Sequence, residues 1–165
     1  MKDGNHAALI SAMISWFAGD PRRVHHFLKV FAFAKAIGQA EGLPPDEQQT
    51  LETAALVHDI GIRPSEEKYG SSAGKYQEQE GPEPARQMLS GLGVPPERIE
   101  RVCFLVAHHH TYDKVDGLDY RILLEADFLV NAYEDGLSKE ALRTAEQKLF
   151  RTATGRRYLR EIYAL

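Results

Sequence analysis

Apolar residues in this chain recur at helical spacing in segment after segment, and Gly or Pro closes each segment. Side chains three and four apart share a helix face, whereas a half-buried strand needs strict alternation. No convincing alternation occurs, and neither does a repeat. Leu9, Ile10, Met13, Ile14, Trp16 and Phe17 predict a helix over about 5–18, with Asn5 near its start and Gly19 at its end. Asp20-Pro21 offers an N-cap followed by proline at the first helical position. Val24, Phe27, Val30, Phe31, Ala34 and Ile37 then carry a second helix to Gly42. A third is predicted over about 46–59, and others over 82–92, from Pro96 into His108, over 119–134, over 139–150 behind Ser138, and around Tyr158, Leu159 and Ile162. Between 61 and 81 the periodicity vanishes, and that stretch reads as a flexible, lid-like loop. The expected fold is all-α, a single-domain helical bundle of seven or eight helices over 1–165.

Composition bounds the function. With 43% hydrophobic residues in 165, the chain can bury one core. A net charge of −4, from 20 basic and 24 acidic residues, excludes a binder of nucleic acid or membrane surface driven by bulk positive charge. The single Cys103 excludes a disulfide framework and a cysteine-rich zinc site, and its apolar neighbours place it in the core. No apolar run approaches the ~18 residues of a membrane span. Met1 to Ala8 lacks a signal-peptide pattern, so a cytoplasmic location is the default.

Histidine is the uneven entry. Six of the 7 fall in three groups: His25 and His26, His58, and His108 to His110. His58-Asp59 ends the apolar run Ala54-Ala55-Leu56-Val57, just before Ile60-Gly61. Burying that pair is costly unless both side chains are bound to something. A divalent cation satisfies imidazole and carboxylate together; the plain alternative is a helix C-terminal pair with His58 on the dipole and Asp59 exposed. His26 sits on an otherwise strongly apolar helix, and Asp127 lies inside the apolar stretch 123–130. Two His and two Asp converging from three helices would make a mixed nitrogen and oxygen site suited to Mn, Fe, Co, Ni, Zn or Mg.

The order His26, His58-Asp59, Asp127, with the run Ala-Ala-Leu-Val-His-Asp-Ile-Gly at 54–61, resembles the HD-domain superfamily of metal-dependent phosphohydrolases in its HDIG form. The resemblance covers about 20–135 and leaves 136–165 as C-terminal helices. It implies an all-helical HD-type bundle, one or two divalent metals, and hydrolysis of phosphomonoesters, phosphodiesters or nucleotides. His26, His58, Asp59 and Asp127 would hold the first metal. The triplet falls where dinuclear members place further ligands; His109 fits best, and His108 is a second candidate. Where two-metal members carry another His, this chain has Gln77, a poor ligand, so Glu80 or Glu83 becomes the carboxylate candidate there; otherwise the site holds one metal. The Lys that follows HDIG is also missing, and Ile62-Arg63 stands in its place. Adjacent helical residues point about 100° apart, so His25 does not share a metal with His26 and reads as a surface residue.

Roles follow. Asp59 would orient the attacking water or act as base, and His109 would protonate the leaving oxygen. Arg23, three residues before His26, would bind phosphate in the forked manner of guanidinium. Arg63, Lys75 and His110 are further phosphate candidates. The expected substrate is a small phosphorylated molecule, with no membrane partner and no strong nucleic-acid signal; a homodimer is left open. Two other readings stand beside this one. The domain could bind metal and nucleotide without turnover, or be a di-iron oxygenase of the same superfamily, against which Gln77 argues.

Overall fold

The computed structural model describes residues 6–165. Asn5, near the expected start of the first helix, lies outside them. The elements are α1 (Ala7–Trp16), α2 (Pro21–Ala40), α3 (Pro45–Val57), α4 (Ile62–Tyr69), α5 (Gly74–Glu80), α6 (Pro82–Gly91), α7 (Pro96–Val106), α8 (Leu118–Glu134), α9 (Lys139–Lys148) and α10 (Ala153–Tyr163). No strand occurs among the described residues. No helix among them is long and apolar enough to cross a membrane.

Capping chemistry sets several boundaries. The Asp20 side chain accepts a hydrogen bond from Arg23 N ahead of Pro21, and Ser138 and Thr152 cap α9 and α10 in the same way. Helix α3 is the axis of the bundle, packed by α1, α2, α7 and α8. Every residue from Thr50 to Val57 is buried, as befits a helix surrounded on all sides. Its Leu51 and Leu56 form one core cluster with Phe27, Val30, Leu105, Ile122 and Leu123, to which Cys103 also belongs. Each such side chain contributes roughly 1.5–3 kcal/mol by leaving water.

The stretch from 61 to 81 departs from expectation. It is not a loop but two short helices, α4 and α5, joined around Gly70 in the left-handed conformation (φ 64°). The buried residues of α4 are Ile62 and Ser65, and that of α5 is Gln77. A helix whose buried side is mostly polar leaves no apolar period to read.

His6, the histidine outside the three groups, is buried. It is 4% exposed, with Nδ1 3.4 Å from Glu52 and its ring edge-on to Phe31.

Candidate metal centre

Helices α2 and α8 pack along each other, and the end of α3 comes up between them. His26 projects from the buried face of α2 that also carries Phe27 and Val30. Asp127 comes from the buried face of α8. His58 and Asp59 follow directly after α3, where Val57 ends it. His58 is fully buried, and His26 and Asp127 are each 6% exposed.

Their polar atoms converge. His26 Nε2 lies 3.3 Å from His58 Nε2, 3.1 Å from Asp127 Oδ1 and 3.3 Å from Asp59 Oδ2. His58 Nε2 is 3.5 Å from both the same Asp127 oxygen and the same Asp59 oxygen. The opposite ring nitrogens explain the orientation. His58 Nδ1 donates to Ala55 O at 2.8 Å, and His26 Nδ1 donates to Glu134 Oε2 at 3.1 Å. With each Nδ1–H committed to an acceptor, both rings turn Nε2 inward beside two carboxylates, where a cation that displaces the Nε2 proton finds a lone pair. That donor set fits a divalent cation.

A second group adjoins the first. Asp59 Oδ1 lies 3.5 Å from His109 Nε2, and Asp59, His109 and His110 bring ligand atoms within 4.8 Å of one another. His109 Nδ1 donates to Val106 O at 2.8 Å, so its Nε2 also faces inward; that atom is buried and has no hydrogen-bond partner. His110 Nε2 is buried and unpartnered too. The turn that carries them is pinned from two sides. The Tyr120 hydroxyl lies 2.6 and 2.5 Å from the carbonyl oxygens of His108 and Thr111 and shares its one proton between them, and Glu78 accepts from His110 N at 2.9 Å.

Charge follows from this crowding. Burial works against the charged form of His58, but Asp59 and the bond to Asp127 outweigh it and push the imidazole up to about 9. His26 is raised too: burial opposes, and Asp127 and Asp59 prevail. Burial opposes ionisation of Asp59 and Asp127, yet the facing histidines hold both below the usual carboxylate range. His110 goes the other way, pushed down to about 4 by burial and by the neighbouring His109.

The groups open into a cavity of about 580 Å³ whose wall includes His26, Asp59, Asp127, His110, Arg23 and Gln77. His58 and His109 lie behind that wall. Arg23 reaches the cavity with its charge already engaged, at 3.1 and 2.5 Å from the two Glu66 oxygens and 3.2 Å from Asp20.

Four other candidates do not line it. Glu80 accepts from Lys68 and Tyr69 at 2.9 and 2.7 Å. Arg63 donates to Trp16 O and pairs with Glu67. Lys75 sits over the Tyr76 ring. His108 stacks on Phe104 and donates to its carbonyl. His25 is exposed.

A model of the HD domain matches residues 23–150, a span that holds all four converging residues and the histidine triplet. The chain belongs to the HD domain family. This HD domain is also similar to a solved structure from an uncultured Thermotogales bacterium, described as a predicted HD superfamily hydrolase. The two are 26% identical with a TM-score of 0.68, over 96% of this chain and 86% of that one. The sequence matches no curated protein.

The sequence reading of this HD domain missed Glu134, which holds His26 and is itself held by Lys29 at 2.8 Å. Its signal was present: Glu134 lies seven residues, two turns, beyond Asp127 on α8, and so shares its face. The reading also missed Glu78, which had no readable period because it belongs to α5.

Proposed function

We propose that this HD domain is a metal-dependent phosphohydrolase acting on a small phosphorylated molecule. The observation that carries the reading is the inward pair of Nε2 atoms on His26 and His58, fixed by acceptors at Nδ1 and flanked by Asp59 and Asp127. His26, His58, Asp59 and Asp127 would hold one divalent ion; Asp59, His109 and His110 would contribute to a second. Such an ion supplies Lewis acidity and lowers the pKa of water, so that a nucleophile is available near neutral pH.

The chain's own residues do the rest. Asp59, ionised and exposed to the cavity, orients the attacking water. Arg23 binds phosphoryl oxygens, exchanging Glu66 for substrate. Arg22, on the same wall and only 3.5 Å from the exposed Asp135, adds a second cation at the rim. His110, pushed down to about 4, stays neutral at pH 7 and can donate one hydrogen bond or bind metal, but carries no charge to the phosphate. His109 is only 1% exposed and faces Asp59, which favours a ligand role over protonation of a leaving group.

The test is metal content of protein purified without chelator, followed by hydrolysis of an aryl phosphate and a nucleotide panel with Mn, Co, Ni and Mg. Bound metal and metal-dependent release of phosphate are expected. Metal-free protein with no metal-dependent turnover overturns the reading, and a nucleotide that stays bound and intact assigns the domain to binding alone.

A further inference from the structure

Gln77 is the buried residue of α5, at 7% exposure, and it lines the cavity with Asp59 and His110. Its amide is not free to turn. Nε2 donates to Ser72 O at 2.7 Å. The reversed amide would set Oε1 against that carbonyl oxygen, so the orientation is fixed by chemistry. Oε1 is then the free end, and it is buried without a hydrogen-bond partner. A buried carbonyl oxygen with nothing to accept from is destabilising. His109 Nε2 and His110 Nε2 are buried and unpartnered as well, and His110 lines the same cavity.

Glycine brings these atoms together. A Cβ on Gly61, two residues after Asp59, would stand 2.5 Å from Gln77 O and 2.9 Å from the Gly81 backbone. A Cβ on Gly74 would stand 2.7 Å from the His110 ring. The two glycines let α5 press against the turn after Asp59 at one end and against His110 at the other. A helix with so little apolar footing is therefore held with its one buried side chain in the wall of the cavity that Asp59 and His110 also line.

We propose that Gln77 supplies, through Oε1, an oxygen ligand to a second divalent cation held by Asp59, His109 and His110. The proposal rests on the metal reading above and extends it to a residue type that seldom ligates metal. A neutral amide oxygen completes a set of two imidazole nitrogens and one carboxylate oxygen, a mixture open to oxygen-preferring ions such as Mn²⁺. It also removes the unmet acceptor without adding charge to a cavity already rich in carboxylates.

Chelator-treated protein titrated with Mn²⁺, read by elemental analysis and electron paramagnetic resonance, tests this. Wild type is expected to take up two Mn²⁺ per chain, the pair giving a spin-coupled signal through the shared Asp59. Gln77→Leu is expected to keep the first ion at wild-type affinity, weaken the second by about 10- to 100-fold, and lose the coupled signal. Gln77→Glu, which keeps the size and adds a charge, is expected to tighten the second ion by about tenfold. Folding of both variants is checked by circular dichroism, and if Gln77→Leu does not fold, Gln77→Glu decides. Second-site affinity unchanged in the folded variants overturns the proposal. So does a wild-type protein that takes up one Mn²⁺, a result that leaves the first site standing; uptake of none removes both.

Discussion

Asp59 turns Oδ1 toward His109 Nε2 at 3.5 Å and keeps Oδ2 for His26 and His58, at 3.3 and 3.5 Å. One carboxylate thus serves both histidine groups. Asp59→Ala is expected to remove metal from both, where Asp127→Ala affects the first alone. Loss of the oriented water should lower kcat by about 10²- to 10⁴-fold. Elemental analysis beside single-turnover rates checks it, and an Asp59→Ala protein that retains full metal content refutes it.

Glu134 acts through His26. Its carboxylate takes the Nδ1 proton and is itself held by Lys29. Glu134→Gln keeps the size but weakens that hold, and is expected to lower affinity for the first metal by about 10- to 100-fold with little change in the fold. Isothermal titration with Mn²⁺ reads the difference.

Acidity provides a third check, on metal-free protein. His58 is pushed up to about 9 from its ordinary 6.5. The native state then binds this proton more tightly than the unfolded chain, so the stabilisation is complete below pH 6.5 and is lost as pH rises through about 9. The Tm of chelator-treated protein should fall across that window. Metal displaces the proton, so affinity should climb over the same range. A metal-free Tm that rises from pH 6.5 to 9 contradicts this account.

Arg23 must release Glu66 to bind phosphate. Glu66→Gln should lower KM for a phosphorylated substrate, because the guanidinium no longer faces a competing charge. Arg23→Ala should raise KM roughly 10- to 100-fold, the loss of a charge-assisted hydrogen bond of about 1.5–3 kcal/mol. Steady-state kinetics of the two variants, moving in opposite directions, distinguish this role from a purely structural ion pair.

The bundle was readable in the sequence because its helices bury apolar faces, and α2, α3 and α8 announce themselves by period. The meeting of His26, His58 and Asp127 was readable for a related reason: each is a polar intruder in an apolar run, and each needs an explanation. The region 61–81 was opaque because Ser65 and Gln77 are what its helices bury beside Ile62. Glu80 looked like a ligand in one dimension, yet its helix turns it to Lys68 and Tyr69. Arg63, one residue past Ile62, is carried outward to the Trp16 carbonyl. Which way a short helix faces depends on what it rests upon, and here that is largely backbone.

Gly61→Ala addresses that backbone contact. The added methyl meets the Gln77 carbonyl and the Gly81 backbone, neither of which can swing aside. A cost of about 1–3 kcal/mol is expected in urea unfolding. Second-site Mn²⁺ binding should weaken while the first site, built on α2, α3 and α8, is retained.

Helix α5 spans seven residues, too few to persist alone in water. Its existence is lent to it by neighbours: α4, whose Tyr69 ring stacks on Tyr76, the turn at Gly61, and His110. Amide protons over 74–80 should therefore exchange with solvent far sooner than those of α3, and should slow when Mn²⁺ is added. A cation at Gln77 would be a folding partner for a piece of the chain as well as a reagent, and a cell short of the ion would hold a protein with one corner unwound.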